Sequence, residues 1–337
     1  MDAPHRLHDL LAGANEINIV CHNNPDPDCL ASAMALGRIA AAAGIDERRI
    51  LYSGDISHQQ NRAFVNLLDI DLVPFDPEIV VDRPGDTLLA FVDHSHPGEN
   101  NDVPPGTPVD IVIDHHPTES IDARFVDHRE GTGAAATILT EYVRSLDVPL
   151  DATLATALLF AIRRETLEFL RGVTRAEYEA AAFLHDDADR ELLRKLSTPS
   201  VTGETLDTIA TAISNRRIER SVLVSGVGRT GERDALPQAA DYLATLEGVE
   251  TAIVFGVVHD KIHLSARSPD ARIHIGEVLR RAFSDVGSCG GHYDVAGGTI
   301  PLGIFGDESA DEAGALDVVA AVVTARLVAA LRIDDDE

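Results

Sequence analysis

The chain has 337 residues, 45% hydrophobic and 25% charged, a globular balance that excludes a disordered, collagen-like or rod-like chain and, at this length, implies two domains. Its 28 Lys and Arg stand against 56 Asp and Glu, a formal charge of −28; this argues against a general duplex-DNA binder, whose footprint is a basic face. It reads as the surface of a salt-loving organism's protein, since at about 1 M salt the Debye length is about 3 Å and self-repulsion is screened.

Residues 17–21 (INIVC) predict a buried strand, and 28–43 a helix whose stripe Leu30, Ala33, Met34, Gly37, Ala41 has helical spacing and which stops at Gly44. Residues 49–52, 88–92 and 109–113 predict further strands, and 132–146, 152–163 and 174–186 helices. Strands apolar on both faces, alternating with helices, imply an α/β fold with a mostly parallel, doubly wound sheet. The chain turns polar at 185–215. A catalytic domain over 1–187, a connection over 188–217 and a smaller α/β domain with a mixed sheet over 218–337 are therefore expected. In the latter, 221–227 predicts a strand, 234–246 a helix, 251–267 a hairpin turning at His259–Asp260, and 272–284 a helix. A glycine-rich stretch, 287–303, and a terminal helix, 311–332, follow. No apolar run is long enough for a membrane span, no secretory leader is evident, and Cys21, Cys29 and Cys289 are too few for a disulfide framework. A cytoplasmic protein with no membrane partner is expected.

The chemistry lies where three strands end. Residues 17–21 run into His22-Asn-Asn-Pro-Asp26-Pro-Asp28, 88–92 into Asp93-His94-Ser95-His96, and 109–113 into Asp114-His115-His116. Parallel sheets bind ligands at their carboxyl ends, and mixed imidazole and carboxylate donors suit Mn²⁺, Fe²⁺, Co²⁺ or Zn²⁺, whereas Mg²⁺ favours oxygen. Taken singly, each has a bland reading. A lone His after a strand is usually a surface or capping residue, and Asp28 is a natural cap for the 28–43 helix. Three clusters at three strand ends are not explained that way.

Together these residues resemble the DHH phosphoesterase superfamily, which includes RecJ-like exonucleases, nanoRNase/pAp phosphatases, cyclic-dinucleotide phosphodiesterases and family II pyrophosphatases. His22 to Asp28 matches its His-x-x-Pro-Asp-x-Asp motif, Asp93 its bridging Asp, and Asp114-His115-His116 the name-giving triplet. Gly131-Thr-Gly-Ala-Ala-Ala resembles the helix start that follows. Ser265-Ala-Arg267-Ser268 with Gly290-Gly-His292-Tyr-Asp-Val-Ala-Gly297 is similar to the DHH-associated nucleotide-binding domain, Val295 replacing the usual Ala. This second domain disfavours a pyrophosphatase. Glu165 stands where the family has an Asp.

The resemblance implies two divalent ions, Mn²⁺ first and Mg²⁺ or Co²⁺ as alternatives. One is held by His22, Asp26 and Asp93, the other by Asp28, Asp93, His115 and Glu165, and together they activate a shared water. It implies that Asp114 orients an imidazole, that His116 serves the scissile phosphate, and that Arg267, Ser268, Gly290, Gly291 and His292 hold a nucleotide phosphate. The substrate so implied is a short single-stranded oligonucleotide (nanoRNA) or a dinucleotide, with pAp as a further one. The alternatives are a c-di-AMP or pApA phosphodiesterase, a RecJ-like exonuclease and a nucleotide sensor without turnover. His94, His96, His58 and His128 have no assigned role, Cys29 is read as packing, and a homodimer through the terminal helix is the minority reading.

Overall fold

A computed structural model of the chain describes residues 2–54, 56, 58–118, 120–198, 201–269, 272–291, 293–303 and 312–331. The chain forms two compact units, Met1–Pro199 and Ser200–Glu337. The first runs α1 (Ala3–Leu11), β1 (Glu16–Val20), α2 (Pro27–Ala42), β2 (Glu47–Tyr52), α3 (Gln59–Leu68), β3 (Val73–Pro74), α4 (Pro77–Val81), β4 (Thr87–Val92), β5 (Val109–Asp114), β6 (Ala123–His128), α5 (Ala135–Ser145), α6 (Ala152–Glu165), α7 (Arg175–His185) and α8 (Arg190–Ser197).

Its strands form one parallel sheet in the order β3-β2-β1-β4-β5-β6. The order reverses between β1 and β4, and at such a switch point the loops leaving the two strands diverge and open a crevice at their carboxyl ends. Side chains alternate across the sheet. Ile17 and Ile19 enter a large core with α2, α5 and α6. Val20, Leu51, Leu89, Phe91 and Val112 enter a smaller one on the other face. Both faces are thus covered, which is why the strands read as unbroken apolar runs. The cover is uneven, because β4 returns to β5 through irregular chain; among the described helices only α4, through Ile79 and Val80, reaches the smaller core.

The polar stretch at 188–217 is largely helical. Leu193 and Leu196 of α8 are buried in the first unit's core. The second unit opens with α9 (Gly203–Ser214), then β7 (Arg217–Glu219), β8 (Val222–Arg229), α10 (Ala235–Leu243), β9 (Thr251–Val258), β10 (Lys261–Arg267), α11 (Ile275–Phe283), β11 (Ser288–Gly291), β12 (Val295–Pro301) and α12 (Glu312–Leu331). So few residues of α8 and α9 are buried that their exposed faces dominate the sequence, and the pattern reads as a linker.

The second sheet is mixed, in the order β11-β12-β10-β9-β8-β7, with β8 and β9 parallel and the other pairs antiparallel. The glycine-rich stretch is not a loop: Gly290 pairs with Gly297 and Gly291 with Ala296. Gly291 has φ +146°, and a Cβ there would lie 2.4 Å from Ala296 Cα, so no side chain fits. No helix among the described residues is long and apolar enough to cross a membrane.

Candidate metal centre

The residues after β1, β4 and β5 converge at the switch point. Asp93 is the hub. It is buried, 4% exposed, and its backbone has φ +65°, a left-handed conformation uncommon for a residue other than glycine that re-aims its side chain away from the line of β4. Asp93 Oδ2 lies 3.5 Å from His22 Nε2, and Asp93 Oδ1 lies 3.2 Å from His115 Nε2. Asp26 Oδ1 stands 3.8 Å from His22 Nε2, and Asp28 Oδ2 3.7 Å from His115 Nε2. One carboxylate therefore serves two cradles: His22, Asp26, Asp93 and Asp28, Asp93, His115.

These donors fit divalent ions. Two donors each about 2.1 Å from one cation span roughly 3.0–3.5 Å, close to the spacings here. Asp93 Oδ1 and His115 Nε2 are buried without a hydrogen-bond partner, which a folded protein rarely tolerates. The far nitrogens are already engaged: His22 Nδ1 lies 3.1 Å from Asn23 O and His115 Nδ1 3.0 Å from Thr132 O. In the neutral ring, a proton there leaves the Nε2 lone pair for the cradle. Burial pushes the Asp93 carboxyl up, but the imidazoles of His115 and His22 beside it outweigh that and hold it well below the usual range. Burial likewise disfavours protonated His115, yet Asp93 and then Asp28 raise it to about 10. His22 is raised for the same reason by Asp26 and Asp93.

Asp28 does not cap its own helix. Asp26 does, accepting from Asp28 N at 2.9 Å and Cys29 N at 3.1 Å. Asp28, 2% exposed, instead accepts from Ala135 N and Ala136 N, each at 2.8 Å. It caps α5, whose own N-cap, Ala134, has no side chain for the task. Asp28→Ala strands those two buried N–H groups. It is expected to lower the stability of the metal-free protein by about 2 kcal/mol as well as weaken metal binding, to be read by denaturant unfolding in EDTA.

Asp114 Oδ1 accepts from His116 N at 3.1 Å and lies 2.9 Å from His116 Nδ1, while Oδ2 accepts from Ser95 Oγ at 2.5 Å. The contact turns His116 Nε2 outward on a half-exposed ring, and hydrogen bonding to Asp114 raises its basicity. A protonated, accessible imidazole beside two cation cradles can donate to a leaving oxygen. Glu165, the last residue of α6, pairs with Arg171 at 3.5 Å. Burial, then the charges of Asp26 and Asp93, push its carboxyl up. Arg163, beside it, is paired with Glu168 at 2.6 Å.

Two residues set aside in the sequence stand closer than expected. The donor atoms of His22, Cys29 and Asp93 lie within 4.8 Å of one another, as do those of Asp93, His115 and His116. The Cys29 thiol donates to Val92 O at 3.5 Å, and burial pushes its pKa well up, so it is a neutral wall of the first cradle. His94 stacks on Phe91, with ring centroids 4.5 Å apart. It is pushed down to about 4 by burial and then by His22, a neutral ring whose Nε2 is buried and unpartnered.

In the second unit, Arg267 Nε donates to Asp241 at 2.5 Å and Nη1 to Ser265 Oγ at 3.2 Å. Its Nη2 makes no hydrogen bond to a described residue. Cross-strand pairing of Ser265 with Gly297 and of Gly297 with Gly290 sets a floor without side chains beside it. Ser268 is not on that floor: it is 1% exposed, with its hydroxyl 2.8 Å from Thr251 Oγ1, because the chain has turned off β10 by then. His292 lies outside the described residues.

Comparison with known proteins follows the same two units. Residues 16–162 match the DHH family, N-terminal domain, and 219–325 the DHHA1 domain. An uncharacterised protein of Methanocaldococcus jannaschii is 38% identical over 95% of this chain, which spans 65% of that protein's length. A Staphylococcus aureus protein named probable manganese-dependent inorganic pyrophosphatase is 28% identical over 50% of this chain and 53% of its own. An exopolyphosphatase-related protein from Bacteroides fragilis shares the fold, with TM-score 0.73 at 13% identity over 98% of this chain and 97% of its own.

Proposed function

We propose that this chain, whose residues 16–162 match the DHH family and 219–325 the DHHA1 domain, is a phosphoesterase that hydrolyses short single-stranded oligonucleotides or dinucleotides with Mn²⁺ as the cation. The observation that carries the hydrolytic reading is Asp93, whose two oxygens face separate imidazoles. Divalent ions held there supply Lewis-acid activation of water and offset the charge building on phosphorus. His22, Asp26, Asp28, Asp93 and His115 would hold them. His116 carries the proton for the leaving oxygen, and Asp114 keeps that ring oriented. The name of the Staphylococcus relative supports Mn²⁺, and the mixed donor set agrees.

The nucleotide part rests on the second unit. Arg267, held by Asp241 and Ser265, has Nη2 left without a hydrogen bond to a described residue, a donor suited to one phosphate. A net charge of −28, 4% aromatic residues and no Trp argue against the basic, aromatic-lined groove that a long single strand requires. Arg267→Ala is expected to raise KM for a dinucleotide about tenfold to a hundredfold, the worth of hydrogen bonds to a charged group. Its kcat on a small aryl phosphodiester should be unchanged; a lowered kcat with unchanged KM would remove Arg267 from binding.

Turnover in molar KCl with Mn²⁺, on short RNA, long RNA and DNA, pAp, pApA, c-di-AMP and pyrophosphate, tests the reading. Mn²⁺-dependent cleavage of the shortest RNAs, abolished by EDTA and slow on long strands, is expected. Preference for c-di-AMP, for long strands or for pyrophosphate would replace the substrate class. Binding without turnover would overturn the enzyme.

A further inference from the structure

Glu177 is a carboxylate with 0% exposure, far in sequence from every motif above. Half of it has an ordinary task. At the third position of α7, its Oε2 accepts from Thr174 N and Thr174 Oγ1, each at 2.6 Å, the capping box expected of Thr-x-x-Glu. The other oxygen is not explained by the helix. Oε1 accepts from Gly133 N at 2.8 Å, a group on the loop after β6.

That N–H belongs to the peptide unit whose carbonyl is Thr132 O, and Thr132 O lies 3.0 Å from His115 Nδ1. The chain of contacts is therefore carboxylate, peptide, imidazole, and it ends at the buried, unpartnered His115 Nε2 beside Asp93. A charge accepting from a peptide N–H draws electron density along the amide toward its oxygen, so the carbonyl becomes the stronger acceptor, as in other hydrogen-bond chains. A stronger acceptor at Nδ1–H fixes the tautomer and makes Nε2 the better donor to a cation. A carboxylate bonded directly to a ligating imidazole does this in many metal sites; here one peptide group stands between them. The peptide is held firmly, since a Cβ on Gly133 would lie 2.5 Å from Gly172 O and 2.9 Å from Thr166 Cγ2.

We propose that Glu177 is a positioning residue for His115, acting through the Thr132–Gly133 peptide to raise the affinity of the second cradle for its divalent ion. This rests on the metal-centre reading above and adds a residue that no motif contains.

Mn²⁺ binding to the metal-free full chain, by titration calorimetry, is the test, with Glu177→Gln, Glu177→Ala and Thr174→Ala compared. Thr174→Ala removes the hydroxyl of the capping box but leaves the Glu177–Gly133 bond. The expected result is Mn²⁺ affinity lowered about tenfold in Glu177→Gln and up to about a hundredfold in Glu177→Ala, with Thr174→Ala losing thermal stability but not affinity. Unchanged affinity in the Glu177 variants, or an equal loss in Thr174→Ala, would make Glu177 a helix cap alone and overturn the proposal. Should the Glu177 variants not fold, the imidazole ¹⁵N spectrum of the native protein loaded with diamagnetic Zn²⁺ decides: on His115, a protonated Nδ1 with a metal-bound Nε2 supports the chain of contacts, and a metal-bound Nδ1 with a protonated Nε2 overturns it. Native protein that binds no Mn²⁺ at all defeats the metal-centre reading itself, an outcome distinct from both.

Discussion

Asp93→Asn is expected to lower kcat/KM on a short oligoribonucleotide by about a thousandfold or more, roughly 4 kcal/mol of transition-state stabilisation, while leaving the chain folded. Both cradles lose their shared anion at once, because each Asp93 oxygen faces a different imidazole. His22→Ala, by contrast, opens only the first. Asn is the informative replacement. The backbone at 93 sits at φ +65°, which Asn tolerates better than most residues; Asp93→Ala adds backbone strain, about 1–3 kcal/mol at such positions, and mixes stability with catalysis. The check is steady-state kinetics at saturating Mn²⁺ together with a melting curve in EDTA. Activity within tenfold of native would remove Asp93 from the centre of the site.

How far the sequence discloses this centre depends on how locally each part is encoded. The three strand-end clusters are contiguous runs of ionisable residues after apolar ones, and a parallel sheet brings such ends together, so His22, Asp93 and His115 are legible without coordinates. What holds them in place is not. Asp28 meets the amides of Ala135 and Ala136 across more than a hundred residues, and read locally it is simply a cap for the nearest helix. Glu177 reads as a capping box because half of it is one; the oxygen on Gly133 has no sequence signal. Cys29 reads as packing and does pack, yet its sulfur walls a cradle.

The fold divides the same way. Strands buried on both faces announce themselves, whereas edge strand β6, with only Phe125 fully buried, does not. The glycines at 287–303 give no strand signal, because strands seldom contain so many. They pair there as β11 and β12 because the two strands approach too closely for side chains, as at Gly291 and at Gly298, where a Cβ would meet Cys289 Sγ.

Removing the metal should reverse the sign of the pH dependence of stability. In the metal-free protein, His115 is raised to about 10, against the pull of burial, by Asp93 and then Asp28, and His22 moves the same way. A histidine raised above its unfolded value of about 6.5 contributes stability that is fully present below that value and is lost as pH climbs through the folded pKa. Melting temperature in EDTA should therefore fall between about pH 7 and 10. With Mn²⁺ in excess the ligands must be deprotonated, so affinity grows with pH, and binding to the native state alone adds stability with that affinity. The loaded protein should hold or gain melting temperature up to about pH 9. The same linkage requires that loading at pH 7 expel about two protons, one from each imidazole. Calorimetry in two buffers of different ionisation enthalpy counts them. Metal uptake without proton release would mean that His22 and His115 are already neutral at pH 7 in the metal-free protein, or that the carboxylates hold the ion alone.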